Sequence, residues 1–147
     1  MKYAEAKQGR TFIVRLDEDE PLAESLKQLA RDEDIRVASI VALGATGDGS
    51  VLRVGPFTKP DGRPGVLSRT LAGPHEVAGT GTLVWGDKGE PEVHLHLACG
   101  RDGETITGCV GDDVRVGYCM ELFITELVGT QTVRGKDPDS GRRLLLP

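Results

Sequence analysis

The sequence predicts an α+β fold, a mainly antiparallel sheet with one main amphipathic helix. Six or more segments of strand length are rich in β-branched and aromatic residues, and turns of hairpin size separate them. One segment alone repeats its apolar residues at helical spacing. Strands and a helix in this proportion indicate an α+β arrangement. The 147 residues fit one domain, 1–147, with 129–147 as a C-terminal tail, and suffice to bury a core without disulfides.

The elements follow in order. Arg10 to Leu16 (Arg-Thr-Phe-Ile-Val-Arg-Leu) reads as the first strand. The four acids from Asp17 to Glu20 suit a helix N-terminus, where unsatisfied N–H groups favour negative charge. From Pro21 to about Asp34, Leu22, Leu26 and Leu29 recur at spacings of four and three, the period of a helix with one apolar face. Ile35 to Gly44 is a buried strand, small and β-branched almost throughout, closed by the Gly-Ala-Thr-Gly-Asp-Gly turn. Ser50 to Val54 returns as the next strand. Residues 55 to 66 hold three prolines and three glycines and read as a long exposed loop.

His75 to Trp85 is a strand in which Gly79 and Gly81 mark a bulge or a close backbone approach. Turns at 87–91 and 101–103 then join it to strands at 91–100 and 104–110, making a meander. Gly111 to Gly117 is a loop. Tyr118 to Val128 is a long last strand, with Met120, Leu122 and Ile124 alternating against Glu121, Phe123 and Thr125. Arg134 to Pro147 reads as a polar tail ending in Leu144-Leu-Leu146. The helix is expected to cover one face of the sheet; the other needs a cover, and self-association is one way to supply it.

Composition excludes several functions. A formal charge of −5 opposes the phosphate attraction that underlies most nucleic-acid binding. The longest apolar runs are too short for a membrane span. The N-terminus, Met-Lys-Tyr-Ala-Glu-Ala-Lys, lacks the apolar core of a secretory signal, so a cytoplasmic chain without disulfides is expected. Cys99, Cys109 and Cys119 fit neither a disulfide framework nor a Cys-x-x-Cys pattern. Gly79-x-Gly81 does not continue as a dinucleotide fingerprint. Gly62-Arg63-Pro64-Gly65 shares Gly-Arg-Pro with the AT-hook, but Asp61 stands where a flanking base belongs, which favours a simple turn.

Chemistry concentrates in Pro91-Glu-Val-His-Leu-His-Leu-Ala-Cys-Gly100. Alternation along a strand puts His94 and His96 on one face, with Cα atoms about 7 Å apart, so that two imidazoles can converge on a divalent ion. If 101–103 turns the chain back, Cys109 of the next strand can complete a three-ligand site with one position open. The alternative is a polar sheet face whose histidines bond to carboxylates, with Cys109 as small apolar packing. Cys99 and Cys119 are best read as buried packing, and His75 as a surface turn residue. Glu121 belongs either to a polar face or to a buried, functional pair.

In their order, Glu20-Pro-Leu-Ala-Glu-Ser-Leu, Ile35-Arg-Val-Ala-Ser-Ile-Val-Ala-Leu-Gly-Ala, His75-Glu-Val-Ala-Gly-Thr-Gly-Thr, Pro91-Glu-Val-His-Leu-His-Leu, Asp102-Gly-Glu-Thr-Ile-Thr-Gly-Cys-Val and Glu121-Leu-Phe-Ile resemble the plants-and-prokaryotes-conserved (PPC) domain. The tail Arg134-Gly-Lys-Asp-Pro-Asp-Ser-Gly is similar to that of bacterial members. The resemblance implies a central antiparallel sheet and a homotrimer. It also implies a DNA-binding label borrowed from plant relatives that carry separate AT-hooks, and a fold similar to acetolactate decarboxylase, whose metal sits on histidines that include a His-x-His pair. Cys109 stands where the family pattern has a histidine. Two functions are therefore expected: a trimeric association or regulatory module holding a metal or small ligand, or a zinc-dependent enzyme acting on a small carbonyl or carboxylate substrate. In the second, His94, His96 and Cys109 hold zinc and Glu121 serves as acid or base.

Overall fold

The structure is a computed structural model that describes residues 1–62 and 64–147. Its elements are β1 (Lys7–Asp17), α1 (Leu22–Asp32), β2 (Val37–Thr46), β3 (Val51–Thr58), β4 (Pro64–Thr70), β5 (His75–Trp85), β6 (Pro91–Arg101), β7 (Glu104–Val110), β8 (Val116–Val128), β9 (Val133–Lys136) and β10 (Arg143–Leu146). Eight strands form one sheet in the order β1-β8-β2-β5-β6-β7-β3-β4, every described pairing in it antiparallel, and β9 and β10 form a hairpin of their own. This is the predicted α+β architecture, and the β5-β6-β7 meander sits where the turns at 87–91 and 101–103 place it.

The two faces of the sheet differ because side chains alternate along each strand. One carries Leu16, Ile40, Leu83, Leu95, Leu97, Met120, Leu122 and Ile124, all buried. Against it lies α1, whose Leu22, Ala23, Leu26 and Ala30 are buried and keep its apolar stripe on the core. Trp85 closes one end of this core, donating its indole N–H to the Ile35 carbonyl at 2.7 Å beneath the Arg36 guanidinium at 3.9 Å. The opposite face is covered at one end, where Val37 and Val84 are buried and Arg134 of β9 reaches Thr82, and its middle is open. Ile13 is 79% exposed there, Val41 49%, Leu43 47% and Phe123 41%.

Four expectations are corrected. The acidic run does not start the helix. Asp17 ends β1, Glu20 accepts the Asp17 N–H at 2.6 Å, and Glu24 is the carboxylate of the first helical turn. Residues 55 to 66 are not a long loop, because β3 continues through Pro56 to Thr58 and pairs with β4 past an irregularity between Val54 and Pro56. Beyond Arg53 no pairing with β7 is described, so prolines there displace no ladder bond on that side. The polar tail folds as the β9/β10 hairpin, which the Arg143 guanidinium ties to Glu92 and Asp87. Gly44 lies inside β2 instead of ending it. The AT-hook-like Arg63 lies outside the described residues.

Candidate metal centre

The site begins with an unbroken ladder. β5 and β6 pair from Glu76↔Gly100 to Trp85↔Pro91 without a register shift, which sets Thr80 opposite His96 and Thr82 opposite His94. Gly79 and Gly81 provide a close backbone approach without a bulge. A Cβ on Gly81 would fall 2.4 Å from the His94 carbonyl oxygen, and one on Gly79 would fall 2.9 Å from that of His96. The two glycines thus let β5 lie against the strand that carries both imidazoles. On the other side, β7 sets Cys109 directly opposite His96. One sheet face therefore presents two imidazoles and a thiol on neighbouring strands.

The donor atoms converge. His94 and His96 bring their Nε2 atoms to 3.2 Å, with ring centroids 5.0 Å apart and planes at 68°. Two imidazole nitrogens on a tetrahedral zinc ion stand about 3.3 Å apart, given Zn–N bonds near 2.05 Å. The observed spacing already matches that geometry. All three donor atoms lie within 4.8 Å of one another, against about 3.6 Å for nitrogen and sulfur on the same ion. The Cys109 thiol is directed at the Val110 carbonyl oxygen, 3.7 Å away. The donor set of two borderline nitrogens and one soft sulfur suits zinc.

The electrostatics favour a ligand role. Burial, with the neighbouring Arg134 and His96, holds His94 below the usual imidazole range, so the ring is neutral and keeps a free lone pair. Burial pushes the Cys109 thiol up, while Arg53 and Arg134 partly offset the shift. The thiol therefore stays protonated until a cation displaces its proton.

Other expected residues lie elsewhere. Glu121 is exposed on the same face, but it pairs with Leu43 and Arg15, and β8 is separated from β6 by β2 and β5, about 14 Å across the sheet. Within one chain it does not reach the triad. The buried carboxylate of β8 is instead Glu126, which accepts hydrogen bonds from the Arg10 backbone N–H at 3.2 Å and side chain at 2.9 and 3.0 Å. His75 is not a surface turn residue: it is buried at the start of β5, its Nδ1 2.9 Å from the Gly73 carbonyl oxygen. Cys99 is buried as expected, whereas Cys119 is exposed. Arg134 escapes sequence reading because only the fold of β9 beside Gly86 brings it to the centre, where its Nη2 donates to Thr82 Oγ1 at 3.2 Å.

The fold recurs in known proteins. A metal-containing protein from Archaeoglobus fulgidus superposes with a TM-score of 0.84 at 26% identity, over 100% of both chains. A plant- and prokaryote-conserved protein from Pyrococcus horikoshii gives 0.80 at 23% identity, over 100% of this chain and 97% of that one. A Bacteroides thetaiotaomicron protein, provisionally named as DNA-binding, gives 0.72 at 20% identity, over 95% and 96%. No curated protein matches the sequence significantly. Residues 3–128 match the Plants and Prokaryotes Conserved (PCC) domain, and the chain belongs to that family.

Proposed function

We propose that the protein is a zinc-holding PCC-domain module that assembles as a homotrimer through the open face of its sheet. The observation that carries the metal reading is the 3.2 Å approach of the two imidazole nitrogens, with Cys109 on the next strand and all three donors within 4.8 Å. A bound ion at such a site supplies Lewis acidity at its open position. The chain's own contribution is a rigid ladder that aims the imidazoles, together with a half-buried thiol. The metal-containing A. fulgidus neighbour supports the same reading.

Assembly is supported by the open face, where Ile13, Phe123 and Val41 lie in one register row across β1, β8 and β2 with His96 and Cys109, and Leu43 adds exposed apolar surface in the next row. Exposed apolar surface of this kind marks an interaction site. The enzymatic alternative needs a carboxylate within reach of the ion, and Glu121 stands three strands away, so the binding module is the better reading.

Elemental analysis of protein purified without added metal tests the proposal. Stoichiometric zinc in the parent, lost in His94→Ala and Cys109→Ala, is expected. A metal-free parent that takes up no zinc on dialysis overturns it. Light scattering of the eluting protein tests assembly: a mass near three times 15.7 kDa is expected, and a monomer excludes the trimer.

A further inference from the structure

A hollow lies at the covered end of the sheet's open face. Its volume is about 310 Å³, and it is bounded by Val37, Val84 and Leu127 on the sheet and by Ala4, Leu145 and Pro147 of the terminal segments. Val37 is 7% exposed and Val84 1%, although alternation puts Val37 on the face where Val41 and Leu43 stand open. Protein interiors hold few voids larger than a water molecule, so an apolar hollow of this size between buried valines and the chain ends is not ordinary packing. Lys2, also on its wall, ties the N-terminal segment to Asp137 at 2.9 Å and to Asp139 at 3.1 Å.

The walls define what fits. None of the lining residues is acidic, and the one cationic group, the Lys2 ammonium, already meets two carboxylates. The hydroxyls of Thr130 and Thr132 bond each other at 2.6 Å, and the Thr132 N–H donates to Thr130 Oγ1 at 3.2 Å. An ion would therefore lose its hydration without replacement, and water would find few of the partners it needs. Thr82 is the exception: its Oγ1 accepts from Arg134 Nη2 at 3.2 Å, while its own O–H has no acceptor among the described residues. An apolar cavity of about 150 Å³ takes benzene, so twice that volume takes about two fused rings.

From these walls we infer that the hollow is a binding site for an uncharged, largely apolar molecule of about two fused rings, with one hydrogen-bond acceptor that meets the Thr82 hydroxyl. Apolar surface removed from water supplies the affinity, and the single hydrogen bond sets the orientation. The site is distinct from the metal centre. Thr82 stands opposite His94 in the ladder, but none of His94, His96 and Cys109 lines the hollow, so its occupancy needs no ion.

Nuclear magnetic resonance of the full chain with labelled Val and Leu methyl groups, titrated with 2-naphthol at neutral pH, tests the inference. The charged comparator is 2-naphthoate, and metal-free and zinc-loaded samples are run side by side. Saturable shifts are expected at the methyls of Val37, Val84, Leu127 and Leu145, with Val41 and Leu43 unmoved and with equal affinity in both samples. Burial of an unpaired charge should make 2-naphthoate bind at least tenfold more weakly. Val84→Phe, which fills the hollow, should weaken 2-naphthol at least tenfold while circular dichroism reports a folded chain. Should that variant not fold, Leu145→Trp narrows the same hollow from its 43% exposed wall and is expected to weaken binding too. Absence of saturable binding, shifts at Val41 and Leu43 instead, or equal affinity for 2-naphthoate overturns the inference and leaves the metal reading standing. Dissociation of the assembly by 2-naphthol in light scattering makes the hollow a seat for a second copy and overturns it as well.

Discussion

At the residue scale, each member of the triad needs a different property. The imidazoles need only to be aimed, which a shared strand face supplies, and partial burial favours the neutral ring of His94. Cys109 must in addition give up a proton that its surroundings hold in place, so it is the ligand most dependent on the ion's presence. Since the family pattern has a histidine there, Cys109→His is expected to retain stoichiometric zinc. Cys109→Ala should weaken zinc by about a hundredfold or more, beyond the loss typical of outer-shell changes, as measured by competition with a chromogenic chelator. His94 and His96 were legible as a pair because the period of a strand is two. Their partner was legible only as a candidate, since no spacing rule connects residues on different strands. Arg134 was not legible at all: a polar stretch gives no sign of which strand it will lie beside.

At the element scale, the β5-β6 ladder holds the centre together, and its glycines are structural. A methyl group on Gly81 meets the His94 carbonyl oxygen and the Leu95 Cα at 2.4 and 2.6 Å, backbone atoms of β6 that cannot swing aside as a flexible side chain would. Gly81→Ala is therefore expected to cost about 1–3 kcal/mol in urea denaturation and to lower zinc affinity together with stability. Leu95→Ala, which opens a cavity in the same strand on the core face, should cost about 2–5 kcal/mol. Because Leu95 and the imidazoles point in opposite directions, that variant should keep its zinc under native conditions. Zinc loss in folded Leu95→Ala would show that the centre depends on the core rather than on the ladder.

On the scale of the whole molecule, the uncovered sheet face and the terminal segments matter most. Phe123→Glu, which places a charge in the apolar stripe, should dissociate the assembly while leaving the far-ultraviolet circular dichroism of the subunit intact; an unchanged elution volume would move the interface elsewhere. The termini are held by charge: Lys2 bonds to Asp137 at 2.9 Å and Ser140 donates to the same carboxylate, and these partners keep Asp137 well below the usual carboxylate range. A carboxyl so depressed contributes stability above its ordinary range, and that contribution is lost as pH falls through and below it. The N-terminal segment and the β9/β10 hairpin should thus lose hydrogen-exchange protection in acid before the sheet does, and Asp137→Asn should remove the difference. With a charge of −5, binding to duplex DNA is expected to be undetectable even at low salt in a fluorescence anisotropy titration.

The sequence alone determined the α+β class, the extents of β5 and the one long helix, the meander, and the shared face of His94 and His96. All of these follow from periodicity and turn chemistry, which act between residues close in the chain. Tertiary structure alone decided that β3 runs through Pro56 as a paired strand, that the polar tail becomes a hairpin, that Glu121 stands apart from the triad, and that Arg134 comes to its edge. Each of these is a matter of strand order and register across the sheet, which depends on which distant segments bury one another's apolar faces and leaves no mark in any short stretch of sequence.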